Sequence, residues 1–278
     1  PQYTREESLL RQQRIAEVTE MIHVASLLHD DVIDAATTRR GVAAVHRVTS
    51  NKLAILAGDF LLARASIQLA ALRNTEVVEL LSTVIEHLVK GEVMQLTKSE
   101  DELMSMEHYM EKTFYKTASM FAHSCQAVGT LSGHNKEVVQ MSYEYGRHLG
   151  LAFQLVDDML DFTSNSSVLG KPALNDMKSG LSTAPALFAA EQFPELQPLI
   201  QRRFKQEGDV QAAHDLVMKS NGVQRTRALA EHHCELAASQ IVNMPPPEDA
   251  HTQQCRNALL KLTEMVLSRA DKAIVNTM

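Results

Sequence analysis

Two acid clusters share one spacing: Asp30-Asp31-Val32-Ile33-Asp34 and Asp157-Asp158-Met159-Leu160-Asp161. Each follows an apolar run, Ile22 to Leu28 before the first and Leu151 to Val156 before the second, where unpaired carboxylates are costly. On a helix, residues i and i+4 lie one turn apart on the same face, so Asp30 with Asp34, and Asp157 with Asp161, form paired oxygen clusters. Six such acids around one cavity would repel and raise one another's pKa values. A hard divalent cation removes that conflict. Mg²⁺ takes a few carboxylates, keeps waters, and fills its remaining positions with substrate phosphate. One cluster alone reads more readily as a solvated helix face or a cap. Two at the same spacing, each followed by basic residues, point to a metal and diphosphate site.

The basic residues suit that chemistry. Arg39 and Arg40 follow Asp34 closely, and guanidinium forks bind phosphate oxygens in bidentate fashion. Gly41 lets the backbone turn beside them; standing alone, the pair would read as a solvated basic turn. Lys116-Thr117 sits in an otherwise apolar stretch, pointing either into a polar cavity or, by snorkelling, to the surface. Gln154 lies one helical turn before Asp158 and faces the same cavity. Gly170-Lys171-Pro172 and Asn175-Asp176 place a further cation and acid after the second cluster.

These residues need helices to position them, and the pattern supplies helices almost throughout. The spacing predicts helices over Glu6–Asp34, Leu53–Arg73, Glu76–Thr97 (capped by Thr75), a helix starting near Ser99 and carrying Lys112–Val128, Lys136–Thr163, Thr183–Gln192, Leu196–Gln206, Asp209–Ser220, Val223–Val242 and His251–Ala273. Ala35 to Asn51 reads as a loop, and no strand-period segment is found. The 278 residues are read as one all-α domain, 1–278, with few glycines (11) and prolines (8) and enough apolar residues (45%) for a sizeable core. A net charge of −7 argues against a nucleic-acid surface. The three cysteines, Cys125, Cys234 and Cys255, are far apart and read as buried free thiols in a reducing compartment. No apolar run reaches the length of a membrane span by this reading, so no transmembrane segment is expected.

The string Leu27-Leu28-His29-Asp30-Asp31-Val32-Ile33-Asp34 with Arg39-Arg40-Gly41 resembles the first aspartate-rich motif of trans-polyprenyl diphosphate synthases. Phe153 to Phe162 with Gly170-Lys171-Pro172 resembles the second, and Gly180 to Pro185 is similar to the version in mitochondrial long-chain (solanesyl/decaprenyl-type) synthases of quinone side-chain formation. The resemblance implies the isoprenoid synthase fold, a helical bundle around a deep central cavity, as a homodimer or a hetero-oligomer with a related subunit. It implies up to three Mg²⁺ ions with bound diphosphate, held by Asp30, Asp34 and Asp157 with Asp31, Asp158 and Asp161 in support. It implies that Arg39, Lys116 and Lys171 contact the allylic diphosphate, that His23 and Arg40 face isopentenyl diphosphate, and that Thr117 and Gln154 line the reaction centre. Ala25 and Ser26, about one turn below Asp30, would leave a tunnel open for a growing chain, and hence a product beyond the short chains. The implied location is the mitochondrion.

One element departs from that pattern. The family's Gly-Lys-x-x-Arg-Pro element upstream of the first motif has no counterpart here, so the expectation is a chain lacking the family's N-terminal helices. The alternative this leaves is a truncated or non-catalytic subunit that stabilises a partner prenyltransferase by helix packing. A terpene cyclase lacks support because its second metal motif is absent, and a di-iron bundle because Glu20 with His23 has no second matching pair.

Overall fold

The computed structural model describes residues 4–97, 99–163 and 174–275. Helix α1 (Arg5–Ile33) opens on a capping box in which Thr4 and Glu7 satisfy each other's backbone N–H groups. Its stripe Ile15, Val18, Ile22 and Ala25 is buried, at helical spacing. Asp34 caps its end. The following segment, expected to be a loop without strands, contains a small antiparallel hairpin, β1 (Thr38–Arg39) and β2 (Val42–Ala43). It turns through Arg40 (φ 52°) and Gly41 (φ 80°), the left-handed pair that a tight hairpin requires. Strands of two residues are too short to show alternation in sequence.

A short helix α2 (Val45–Val48) leads to α3 (Asn51–Ala71), capped by Ser50, and α4 (Thr75–Leu96). The cap of α4 is Asn74, whose side chain accepts from the Val77 N–H, and Thr75 is already helical. The helix expected to run on from Ser99 is instead interrupted. It comprises α5 (Glu100–Leu103), α6 (Met106–Thr113), a π-helical turn at Phe114–Ala118 and α7 (Ser119–Leu131). Next come α8 (Lys136–Thr163), α9 (Asn175–Lys178), α10 (Ala184–Gln192, with Pro185 in its first turn) and α11 (Leu196–Gln201). Helix α11 stops short of the expected Gln206 because Arg203 and Phe204 adopt left-handed backbone angles. The chain closes with α12 (Asp209–Lys219), α13 (Gly222–Asn243) and α14 (Ala250–Val275).

Helix α8 is the axis of the bundle, packed between α7 and α13. Leu149, Ala152, Leu155, Val156 and Met159 meet Ala230 and Ala237 of α13 and Val266 of α14. A second core joins α1, α3, α4 and α7 through Val18, Ile22, Leu69, Leu81, Val84 and Met120. A third lies under α10 to α12. The two acid clusters therefore sit on α1 and α8, at the ends of helices whose flanks are fixed by separate cores.

Two expectations need correction. Helix α3, 21 residues long, is long and apolar enough to cross a membrane by length and composition, and only 22% of its most apolar window is buried. Asp59 and Arg64 divide that run in sequence and hide its length. The three cysteines are free as expected, but only Cys234 is buried; Cys125 is half-buried and Cys255 exposed.

Candidate active site

In the first cluster the three carboxylates have different surroundings. Asp31 is buried, and Arg39 of the hairpin donates to its Oδ1 through Nε at 3.0 Å and Nη2 at 2.5 Å. Asp31 thus braces Arg39 at the rim. Asp30 and Asp34 accept no side-chain hydrogen bond among the described residues. Burial raises the Asp30 carboxyl to about 6, with Glu92 and Asp34 adding to the rise and Lys116 opposing it. Burial raises Asp34 as well, with Glu92 and Asp31 adding to it. Two acids one turn apart that lack donors and resist ionisation are a fitting receptor for a divalent cation.

Lys116 lies in the π turn, an irregularity frequent at functional sites, and its charge acts on both Asp30 and Asp34. Its ammonium donates to Glu92 Oε2 at 2.5 Å and to Gln95 Oε1 at 3.2 Å, both on α4. The approach requires Gly91, because a Cβ there would lie 2.6 Å from Lys116 Cγ. The next residue, Thr117, turns to α8 and donates to Gln154 Oε1 at 2.9 Å. His23 is half-buried; burial holds its imidazole below the ordinary value, against the pull of Glu20 and with the help of Arg40 and Arg39. Ala25 is fully buried, and the half-buried Ser26 spends its hydroxyl on the His23 carbonyl at 2.9 Å.

The second cluster is built differently. Asp158 is buried and accepts from Tyr109 Oη at 2.6 Å and Gln154 Nε2 at 2.7 Å. Burial raises it to about 6, while these two bonds and the nearby Lys112 pull the other way. Asp161, with no exposed surface, receives the backbone N–H groups of Asn175 and Asp176, both at 3.1 Å, and so anchors α9. Asp157 faces α14, where Arg269 Nη2 lies 3.2 Å from its Oδ1 and the guanidinium rests on the Phe153 ring. Lys112 is buried between the clusters. Burial lowers its pKa; Asp158, Asp176 and Glu92 attract its charge and Lys116 repels it.

The two clusters are thus linked electrostatically, Asp30 and Asp34 to Lys116, Lys116 to Lys112 and Lys112 to Asp158. Among the described residues no three His, Cys, Asp or Glu side chains close on one point to form a protein cage for a metal. Lys171 lies outside the described residues.

Glu92, Gln95, Tyr109, Lys112 and Arg269 were missed in the sequence. Glu92 and Gln95 carry a faint signal, a mid-helix glycine followed by polar residues one turn apart. Arg269 carries none.

A sequence model of the polyprenyl synthetase family matches residues 2–217. The chain belongs to the polyprenyl synthetase family. It is 52% identical over 259 residues to the rice (Oryza sativa subsp. japonica) mitochondrial solanesyl-diphosphate synthase 1, covering 93% of this chain and 60% of that protein. It is 48% identical over 258 residues to the human all trans-polyprenyl-diphosphate synthase, covering 93% and 61%. The chain therefore spans about three fifths of the length of these relatives. Among solved polyprenyl synthetase structures, the apo Arabidopsis medium/long-chain length prenyl pyrophosphate synthase superposes with a TM-score of 0.83 at 48% identity, covering 96% of this chain and 85% of that one. A Caulobacter crescentus polyprenyl synthase, complexed with calcium and isoprenyl diphosphate, superposes with a TM-score of 0.83 at 34% identity, covering 93% and 78%. The all-helical architecture expected from the sequence is that of these synthases.

Proposed function

We propose that this chain carries the catalytic centre of a long-chain trans-prenyltransferase that condenses isopentenyl diphosphate onto an allylic diphosphate, making polyprenyl diphosphate for quinone side chains. The observation that carries this reading is the Asp30/Asp34 pair, one turn apart, without side-chain hydrogen-bond donors among the described residues and raised in pKa by burial, beside Arg39 and Lys116. The calcium and isoprenyl diphosphate of the Caulobacter structure support it. Mg²⁺ held by Asp30, Asp34 and Asp157 would supply Lewis-acid stabilisation of a departing diphosphate.

The chain's own residues supply the rest. Arg39, fixed by Asp31, and Lys116, released from Glu92, clamp the allylic diphosphate, with Lys171 as a further contact. Arg40 and His23 bind isopentenyl diphosphate. As the allylic C–O bond breaks, the cationic clamp takes the charge left on the diphosphate. The oxygens of Thr117 and Gln154 face the carbon cation, and the isopentenyl double bond attacks it. A proton then leaves the new bond's neighbour for the released diphosphate. Ala25 and Ser26 leave room for the growing chain on the inward face of α1.

The exposed stripe Leu53, Leu56, Phe60 and Ile67 on α3, with Val89, Val93 and Leu96 on α4, supports a second subunit on that face, either a copy of this chain or a related one. The relatives named mitochondrial support that location. The test is incubation of the purified chain with Mg²⁺, isopentenyl diphosphate and farnesyl or geranylgeranyl diphosphate, reading product length by chromatography. Long polyprenyl products are expected. No product, with the allylic diphosphate still bound in a Mg²⁺-dependent way, would overturn the reading in favour of a partner-dependent subunit.

A further inference from the structure

Four polar side chains form one hydrogen-bonded row from α6 to the π turn: Tyr109, Asp158, Gln154 and Thr117. Tyr109 Oη donates to Asp158 Oδ2 at 2.6 Å, Gln154 Nε2 to Asp158 Oδ1 at 2.7 Å, and Thr117 Oγ1 to Gln154 Oε1 at 2.9 Å. The direction of every bond follows from the first. A carboxylate only accepts, and Tyr109 fills one of its oxygens as a donor. The other oxygen can face only the NH2 end of Gln154. The amide oxygen of Gln154 must then face Thr117, whose hydroxyl must spend its proton on it.

We infer that Asp158 and Tyr109 are positioning residues that lock the Gln154 amide so that it and Thr117 present lone pairs, and no protons, to the reacting carbons. Asp158 is therefore spent on the amide and does not ligate metal, unlike Asp157 beside it. This rests on the prenyltransferase reading above, in which Gln154 and Thr117 line the reaction centre. The physical gain is preorganisation. Fixed oxygen dipoles stabilise an allylic cation without reorganising. A flipped amide would set Gln154 Oε1 against the Asp158 carboxylate and turn the Thr117 proton toward the cation. Burial enforces the row: Asp158 is 3% exposed and Tyr109 3%, so water cannot substitute for either partner.

The test compares wild type, Tyr109→Phe and Asp158→Asn for kcat, KM for the allylic diphosphate, and Mn²⁺ affinity by electron paramagnetic resonance in the presence of inorganic diphosphate. Tyr109→Phe should lower kcat about tenfold with KM within about twofold, and Asp158→Asn should lower kcat at least as much. Mn²⁺ affinity should stay within about twofold of wild type in Tyr109→Phe, and in Asp158→Asn should fall by no more than the roughly 10- to 100-fold of a change outside the ligand set. A Mn²⁺ affinity weakened by more than about a hundredfold in Asp158→Asn would make that residue a ligand and overturn the inference. So would an unchanged kcat in Tyr109→Phe. If Tyr109→Phe fails to fold, Thr117→Ser and Thr117→Val test the far end of the row. The serine should retain kcat within about threefold, the valine should fall with Tyr109→Phe, and equal values for the two would contradict the row. Wild type without product sinks the prenyltransferase reading itself, and the Mn²⁺ comparison still decides whether Asp158 is a ligand.

Discussion

The two acid clusters have the same spacing and different duties. On α1, two of three carboxylates, Asp30 and Asp34, are left without side-chain donors among the described residues and raised in pKa, while Asp31 holds Arg39. On α8, two of three are consumed by the fold: Asp158 by Tyr109 and Gln154, and Asp161 by the backbone of α9. Asp157 is half-buried and held by Arg269 of the last long helix. A motif's spacing fixes which residues share a helix face. The donors brought by other helices decide which carboxylates remain free for a ligand.

That asymmetry can be broken by substitution. The largest effect belongs to the free pair. Asp34→Ala should lower kcat/KM at least about a hundredfold with no loss of thermal stability, measured by product formation and by melting. The anchored acid should behave in the opposite sense. Asp161→Ala removes two charge-assisted bonds from a fully buried site and should cost about 3 kcal/mol in urea unfolding. A smaller effect should appear with pH. Asp30 has its folded pKa raised to about 6 from 3.8, so the metal-free folded state binds the proton more tightly than the unfolded chain. The resulting penalty is absent below about pH 4, grows between pH 4 and 6, and is complete above 6. Asp30→Asn should therefore stabilise the metal-free protein by on the order of 2 kcal/mol at pH 8, and the gain should vanish near pH 4. The gentlest change concerns the wall below the free pair. Ala25→Phe should shorten the polyprenyl product by one or more isoprene units while turnover persists; an unchanged product would remove Ala25 from the chain path.

What was legible in the sequence is what helical periodicity carries locally. The Asp30/Asp34 pair, the Gln154 to Asp158 contact and the course of α1 and α8 all rest on i,i+4 relations within one helix. Partners that meet only in the fold were not legible. Tyr109 is 49 residues from Asp158, and Arg269 is 112 residues from Asp157. The π turn was equally hidden, because one extra residue per turn leaves the apolar pattern of Phe114 to Ala118 looking like ordinary helix. That turn, however, sends the neighbours Lys116 and Thr117 to different helices, one to Glu92 and the other to Gln154.

The most direct measurement of the division of labour is calorimetric binding of farnesyl thiodiphosphate, an analogue slow to ionise, with and without Mg²⁺, to wild type, Asp34→Asn and Asp158→Asn. Asp34→Asn should lose the Mg²⁺-dependent part of the affinity while Asp158→Asn keeps it. Equal losses in the two variants would contradict that division, because matched spacing would then mean matched function.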